Sequence, residues 1–134
     1  MSQENVEIVL AHVAAYNAGD IDAWAEFLTP DVEAFPDASA FPEPGPLLGR
    51  DEYRAWLEEI QTAWRRPRWR TTEVLAVGTD LVLHRRDWGG EGAASGVETH
   101  SGITGVFTVR SSQISRIVFY FDHTEALKAV GLEE

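Results

Sequence analysis

His12–Phe35, HVAAYNAGDIDAWAEFLTPDVEAF, decides the fold. It reads as the end of an amphipathic helix, a glycine break, a second short helix and the start of a strand. Upstream, Val6, Val9, Leu10, Val13 and either Tyr16 or Asn17 recur at i, i+3, i+4, i+7 and give the first helix one apolar stripe. Ser2 is its candidate cap, with Glu4 and Glu7 near the positive end of the helix dipole. Gly19 stops this helix, because glycine takes the left-handed conformation at little cost. Asp20 can cap the next, whose buried side is Ile21, Trp24, Phe27 and Leu28; Thr29-Pro30-Asp31 is expected to end it. Val32–Phe35 then begins a strand.

Downstream, residues 36–49, PDASAFPEPGPLLG, carry Pro36, Pro42, Pro44 and Pro46. Proline has no N–H to give, so this segment is neither helix nor central strand. It reads as a rim or lid loop, with Phe41, Leu47 and Leu48 packing back. Arg50–Arg66 is a helix with Tyr53, Trp56, Leu57, Ile60 and Trp64 on one stripe, closed by Pro67. Strands are expected over Arg68–Val77 and Leu81–Trp88 around a Gly78-Thr79-Asp80 turn. Another pair, Val97–Arg110 and Gln113–Asp122, flanks Ser111-Ser112. The glycine-rich GGEGAASG, residues 89–96, lacks a phosphate-loop Lys-Ser/Thr ending and leads into no helix, so it reads as a hairpin loop. The tail HTEALKAVGLEE allows one short closing helix.

The order α-α-β-α-β-β-β-β means α+β. A curved antiparallel sheet wrapped around three helices of the N-terminal half would leave a cone-shaped cavity, a common place for small-molecule sites.

Composition narrows the function. At 134 residues the chain is read as a single domain, 1–134, with a proper core. No apolar run is long enough to span a membrane, and the N-terminus lacks a secretory pattern. With no cysteine there are no disulfides or thiol nucleophiles, and a cytoplasmic protein is expected. The net charge of −11 argues against nucleic acid and anionic membrane as partners, since both need a cationic surface. The charge is uneven: no Lys or Arg precedes Arg50, whereas Arg65, Arg66, Arg68, Arg70, Arg85 and Arg86 crowd the middle. Either these coat a solvated strand face, or one or two point inward toward an anionic or carbonyl ligand.

Three stretches together carry a family likeness. YNAGDIDAWAEFLTPDVEAF with its proline-rich sequel, LLGRDEYRAWLEE, and IVFYFDHTEALKAVGL resemble the nuclear-transport-factor-2-like superfamily, and within it the SnoaL-like, polyketide cyclase-like branch common in small bacterial proteins. The resemblance covers nearly the whole chain. It implies an α+β cone, a homodimer paired through the outer sheet face, and acid–base chemistry without metals or organic cofactors. Enzymes of the superfamily include ketosteroid isomerases, polyketide cyclases, limonene epoxide hydrolases and scytalone dehydratases; other members only bind ligands. Carried over by position, the isomerases' hydrogen-bonding Tyr falls on His12. Their general-base Asp falls on Pro36, with Asp37 next, and their second acid on Gly105, with Thr104 beside it. None of the three is retained, which sets this chain apart from a true ketosteroid isomerase. The Asp-Arg-Asp set of the epoxide hydrolases finds no spacing match.

The candidate acid–base groups are therefore His12, Asp37, His84, Arg86 and Asp122. His12 lies slightly to one side of its helix stripe and is either a packed residue or a proton-transfer group, since imidazole titrates near neutrality. On Leu81–Trp88, Val82, His84, Arg86 and Trp88 share one face, and Leu83, Arg85 and Asp87 the other. If the first face is interior, it sets a proton-transfer group beside a fixed cation. Asp122 either acts as an acid or caps the tail helix, because Asp122-His123-Thr124-Glu125 has capping-box form. The expected pocket lining is Tyr16, Trp24, Phe35, Tyr53, Trp56, Ile103 and Phe119. His12, His84, His100 and His123 show no metal-ligand spacing, so no metal is expected. Two readings stand: a cofactor-free isomerase, cyclase, dehydratase or hydrolase acting on a small apolar or carbonyl compound, and a non-catalytic ligand-binding or dimerisation domain.

Overall fold

A computed structural model describes residues 2–37, 45–62, 64–92, 96 and 98–132, with the side chains of 2, 64–67, 91–92 and 98–101 left aside. Phe41 and the side chains of Trp64, Arg65, Arg66 and His100 thus lie outside the described residues.

The corner forms as its sequence dictates. Helix α1 spans Ser2–Asn17 and α2 spans Ile21–Glu26. Gly19 breaks between them at φ +77, and the Ala23 N–H donates to the Asp20 side chain at 3.0 Å. Strand β1 follows at Leu28–Phe35. Thr29-Pro30-Asp31 was expected to close the helix but sits inside this strand. The reason is local: Phe27 already caps α2, and the proline falls where the ladder shifts register between Leu28 and Glu33, a place that tolerates a missing donor.

The proline-rich segment ends in a two-residue strand, β2 (Leu47–Leu48), paired with β1 at the sheet edge. Helix α3 spans Arg50–Gln61, shorter than the Arg50–Arg66 expected. From Trp64 the chain is already β3 (Trp64–Val77), because β4 (Leu81–Gly92) extends far enough to pair Trp64 with Gly92 and Arg65 with Glu91. Those ladder bonds replace the last helical turn. The glycine-rich stretch therefore contributes Gly89–Gly92 to a strand. Strands β5 (Glu98–Arg110) and β6 (Gln113–Tyr120) meet at Ser111-Ser112, both with positive φ, and helix α4 (His123–Ala129) closes the chain.

The six strands run in the order β2-β1-β6-β5-β4-β3. All pairs are antiparallel except β1 with β6, a parallel pair that the sequence reading did not foresee. These two strands lie far apart in the chain, so no tight turn forces them antiparallel. The inner face packs on the helices through one cluster that includes Val9, Tyr16, Trp24, Leu28, Phe107 and Ile117. A smaller cluster on the outer face seats Ala126 of α4 on Leu83 and Val106. Part of the outer face is therefore covered within the chain. Period-two alternation sorts β4 cleanly: Val82, His84 and Arg86 point inward and are buried, and Arg85 is exposed. No helix of the described residues is long and apolar enough to cross a membrane.

Candidate functional site

The inside of the cone holds two compartments that share part of their walls. The outer one is a cavity of about 40 Å³ with an almost wholly apolar lining that includes Trp56, Trp69, Trp88, Ile103, Phe119 and Phe121, with Pro36 and Asp37 at its rim. The inner one, of about 10 Å³, is lined by His12, Tyr16, Trp24, Tyr53, Arg86 and Phe107 among others. Both are walled by Tyr53, Leu57 and Trp69. Ten cubic ångströms is about the room one water needs. Side chains therefore fill most of the cone, and an organic ligand needs more room in the inner compartment than its present walls leave.

Arg86 dominates that compartment. It is 3% exposed. Its guanidinium lies over the rings of Trp69 at 4.4 Å, Phe107 at 5.1 Å and Phe119 at 5.3 Å. Its Nε and Nη2 have no hydrogen-bond partner. Among the described residues that line the inner compartment there is no carboxylate. Burial pulls the Arg86 pKa down to about 10, so it still carries its charge at neutral pH. Cation–π contact with desolvated rings contributes about 2 kcal/mol, whereas burying an unpaired ion costs several.

Gly105 makes this placement possible. A Cβ there would lie 2.5 Å from Arg86 Nη2 and 2.8 Å from Phe107 Cε1. In register, Gly105 sits between His84 on β4 and Phe119 on β6. The space that a side chain at this position would take is filled by the guanidinium.

The two histidines flank the cation as neutral groups. His12 Nδ1 donates to the Trp24 carbonyl at 2.9 Å, an assignment that leaves Nε2 as the lone-pair nitrogen. Its ring stacks on Trp24 at 5.2 Å. Burial pushes its pKa down to about 3, the carbonyl opposes this, and the Arg86 charge lowers it further. His84 has no exposure; its Nε2 pairs with the Thr71 hydroxyl at 2.8 Å and its Nδ1 has no partner. Burial, then Arg86, then His12 lower its pKa to about 2. Burial likewise raises the phenols of Tyr16 and Tyr53, and Trp88 Nε1 donates to Tyr16 at 3.4 Å.

The structure thus gathers His12, Arg86, Tyr16, Trp24 and Tyr53 around one space, with Trp56, Ile103 and Phe119 above it and His84 edge-on to Phe107. It does not gather the rest. Asp37 accepts the Phe121 N–H at 2.8 Å and stands between the apolar cavity and an open polar groove of about 500 Å³. Asp122 lies in that groove, exposed, and accepts the Thr124 N–H at 2.9 Å as the cap of α4. Thr104 faces the same groove and pairs with His123 at 2.8 Å. Phe35 is half-buried under the Arg116 guanidinium and lines neither compartment. Trp69, Trp88 and Phe107 were missed as lining residues. The signal for Phe107 was its four-residue spacing from Ile103, with Gly105 midway, which puts both on one face of the strand. Among the described residues no cluster of three His, Asp or Glu side chains could hold a metal ion.

The chain resembles several solved structures at low sequence identity. TerC, co-crystallised with polyporic acid, is 22% identical, with 95% of this chain and 97% of that one covered and a TM-score of 0.76. An NTF2-like protein of unknown function from Burkholderia pseudomallei K96243 is 18% identical over 95% and 97%, with a TM-score of 0.77. A candidate SnoaL-like polyketide cyclase from Jannaschia sp. CCS1 is 19% identical over 99% and 95%, again at 0.77. These likenesses show the NTF2-like fold. No curated protein matches the chain. The SnoaL-like domain itself matches residues 9–117, from the buried face of α1 to within three residues of the end of β6, and the chain belongs to that family.

Proposed function

We propose that the cone takes up a small, flat, carbonyl-containing molecule through the apolar opening beside Trp56 and Phe121, and that it turns the molecule over by proton transfer without a cofactor. The observation that carries this reading is Arg86, a buried cation with two unpartnered donors that lines the same space as His12. In an enolisation, the α-carbon proton would pass to His12 Nε2. The electron pair would move to the carbonyl oxygen, where Arg86 stabilises the charge that develops. That TerC, a protein of similar fold, was co-crystallised with polyporic acid supports a small-molecule ligand for this one.

A second reading, binding without chemistry, is favoured by the histidine pKa values near 3 and 2, far below the best range for a base at neutral pH. One experiment separates the two. Proton NMR in D2O follows loss of the α-protons of 2-tetralone, while tryptophan fluorescence follows its binding. Exchange above the buffer rate that disappears in H12Q supports the enzyme. Saturable binding with exchange at the buffer rate supports the binder.

We also propose that two copies pair through the part of the outer sheet face that α4 leaves open, where Leu75 is 43% exposed. A cytoplasmic site of action completes the proposal.

A further inference from the structure

We propose that the molecule held in the inner compartment is a planar aromatic monoanion, a carboxylate or an ionised enol or phenol, and that Arg86 is its counter-ion. This rests on the pocket reading above and goes beyond it, because a neutral carbonyl compound would satisfy that reading equally well.

Three observations lead to the charge. First, among the described residues lining the inner compartment Arg86 is the only cation, and none is a carboxylate. Its two buried donors, Nε and Nη2, face no acceptor. Second, the neighbours that might have shared its charge are neutral. The two tyrosines keep their protons, and His12 has already committed its Nδ1–H to the Trp24 carbonyl. Third, the strand beside Arg86 carries Gly105 where any side chain would push the guanidinium aside. A cation kept in place by the absence of a side chain, and left without an internal partner, is a site built to be completed from outside.

The shape follows from the walls. Trp69, Phe107 and Phe119 already lie against the guanidinium, and Trp24 and Tyr53 meet edge to face in the compartment wall, with ring centroids 5.0 Å apart. A flat ring can take the place of Tyr53 or Trp69 and keep the stacking that they supplied. The guanidinium fork then meets the two oxygens of a carboxylate side by side, the geometry in which arginine binds best, or aims both donors at the single oxygen of an enolate or phenolate. The depth of the site also matters. Surface ions are screened by salt, while a charge pair at this depth is screened far less.

The test is a tryptophan-fluorescence titration of the full chain at neutral pH with benzoate and with benzamide, near-isosteres that differ in charge. Benzoate is expected to bind at least about tenfold more tightly than benzamide, and to keep that preference in about 0.5 M NaCl. In R86M the two affinities become equal. Should R86M fail to fold, G105A moves the guanidinium without removing it and is expected to shrink the preference. Equal or tighter binding of benzamide to the unmodified protein overturns the anion while leaving the pocket reading intact. A benzoate preference that survives R86M, or collapses in salt, assigns the charge to surface arginines such as Arg85 and also overturns it. Saturation by neither probe overturns both this inference and the pocket reading.

Discussion

Gly105 and Arg86 form one feature written at two positions. The glycine lies inside a strand, where it forfeits side-chain packing, and the space it leaves is taken by the guanidinium. G105A is therefore expected to destabilise the protein by about 1–3 kcal/mol through overpacking. G102A, three residues away on the same strand with nothing within 4 Å, is expected to be near neutral. Urea unfolding of both variants decides; equal effects would mean that Gly105 holds no special place. The buried histidines make a second prediction at this scale. With folded pKa values of about 3 and 2 against about 6.5 when unfolded, the unfolded chain binds protons first as pH falls. Their contribution is complete above pH ~6.5 and is lost on the way down toward ~3, at up to ~1.4 kcal/mol per pH unit for each histidine. Urea midpoints at pH 7, 6 and 5 should fall in step, and H12Q should fall less steeply. A flat profile between pH 6.5 and 5 would show that the rings are not buried as neutral groups. The pair was only half legible in the sequence. Alternation along β4 put His84 and Arg86 on one face, but the sequence does not say that this face is interior and dry.

At the scale of elements, the corner was the most readable part, because helix caps are local chemistry. Asp20 and Asp122 both cap as their spacing suggests. D122A should cost about 1 kcal/mol, and D122N, which keeps an acceptor, much less. If D122N instead abolishes α-proton exchange while leaving stability untouched, Asp122 has a chemical role that its position in the outer groove does not suggest. Asn17 was the element-level surprise. It was a candidate for the apolar stripe, but the stripe ends with Tyr16. Asn17 instead reaches β3 and pairs with both backbone groups of Trp69, its Oδ1 accepting and its Nδ2 donating at 2.8 Å each. It acts as a one-residue strand that ties the end of α1 to the wall of the cavity. N17A should cost about 1–2 kcal/mol and speed hydrogen exchange at the Trp69 amide. Unchanged exchange there would mean that the pairing does not persist in solution. The longer reach of β3 and the shorter α3 were illegible for the same reason that Asn17 was. Each depends on partners many residues away, here the extension of β4 through Gly92.

At the scale of the whole molecule, the sheet wraps helices on one face and seats α4 on part of the other. The remaining outer surface carries the expectation of pairing. Sedimentation equilibrium should show a dimer, and L75E, at an exposed site on β3, should shift it toward monomer with little effect on fold. A monomer at all concentrations would remove the outer face as a pairing surface. By itself the sequence determined the class of fold, the helical corner with its glycine stop and caps, and the sorting of the β4 residues onto two faces. All of these rest on period, spacing and short-range hydrogen bonding. Only the tertiary structure decided that β1 runs parallel to β6, that the cone is largely filled, that Asp37 and Asp122 stand apart from its depth, and that Arg86 is buried against three aromatic rings with two donors unpartnered. Those outcomes depend on which distant side chains meet and whether water is excluded between them, and such meetings are set by packing in three dimensions.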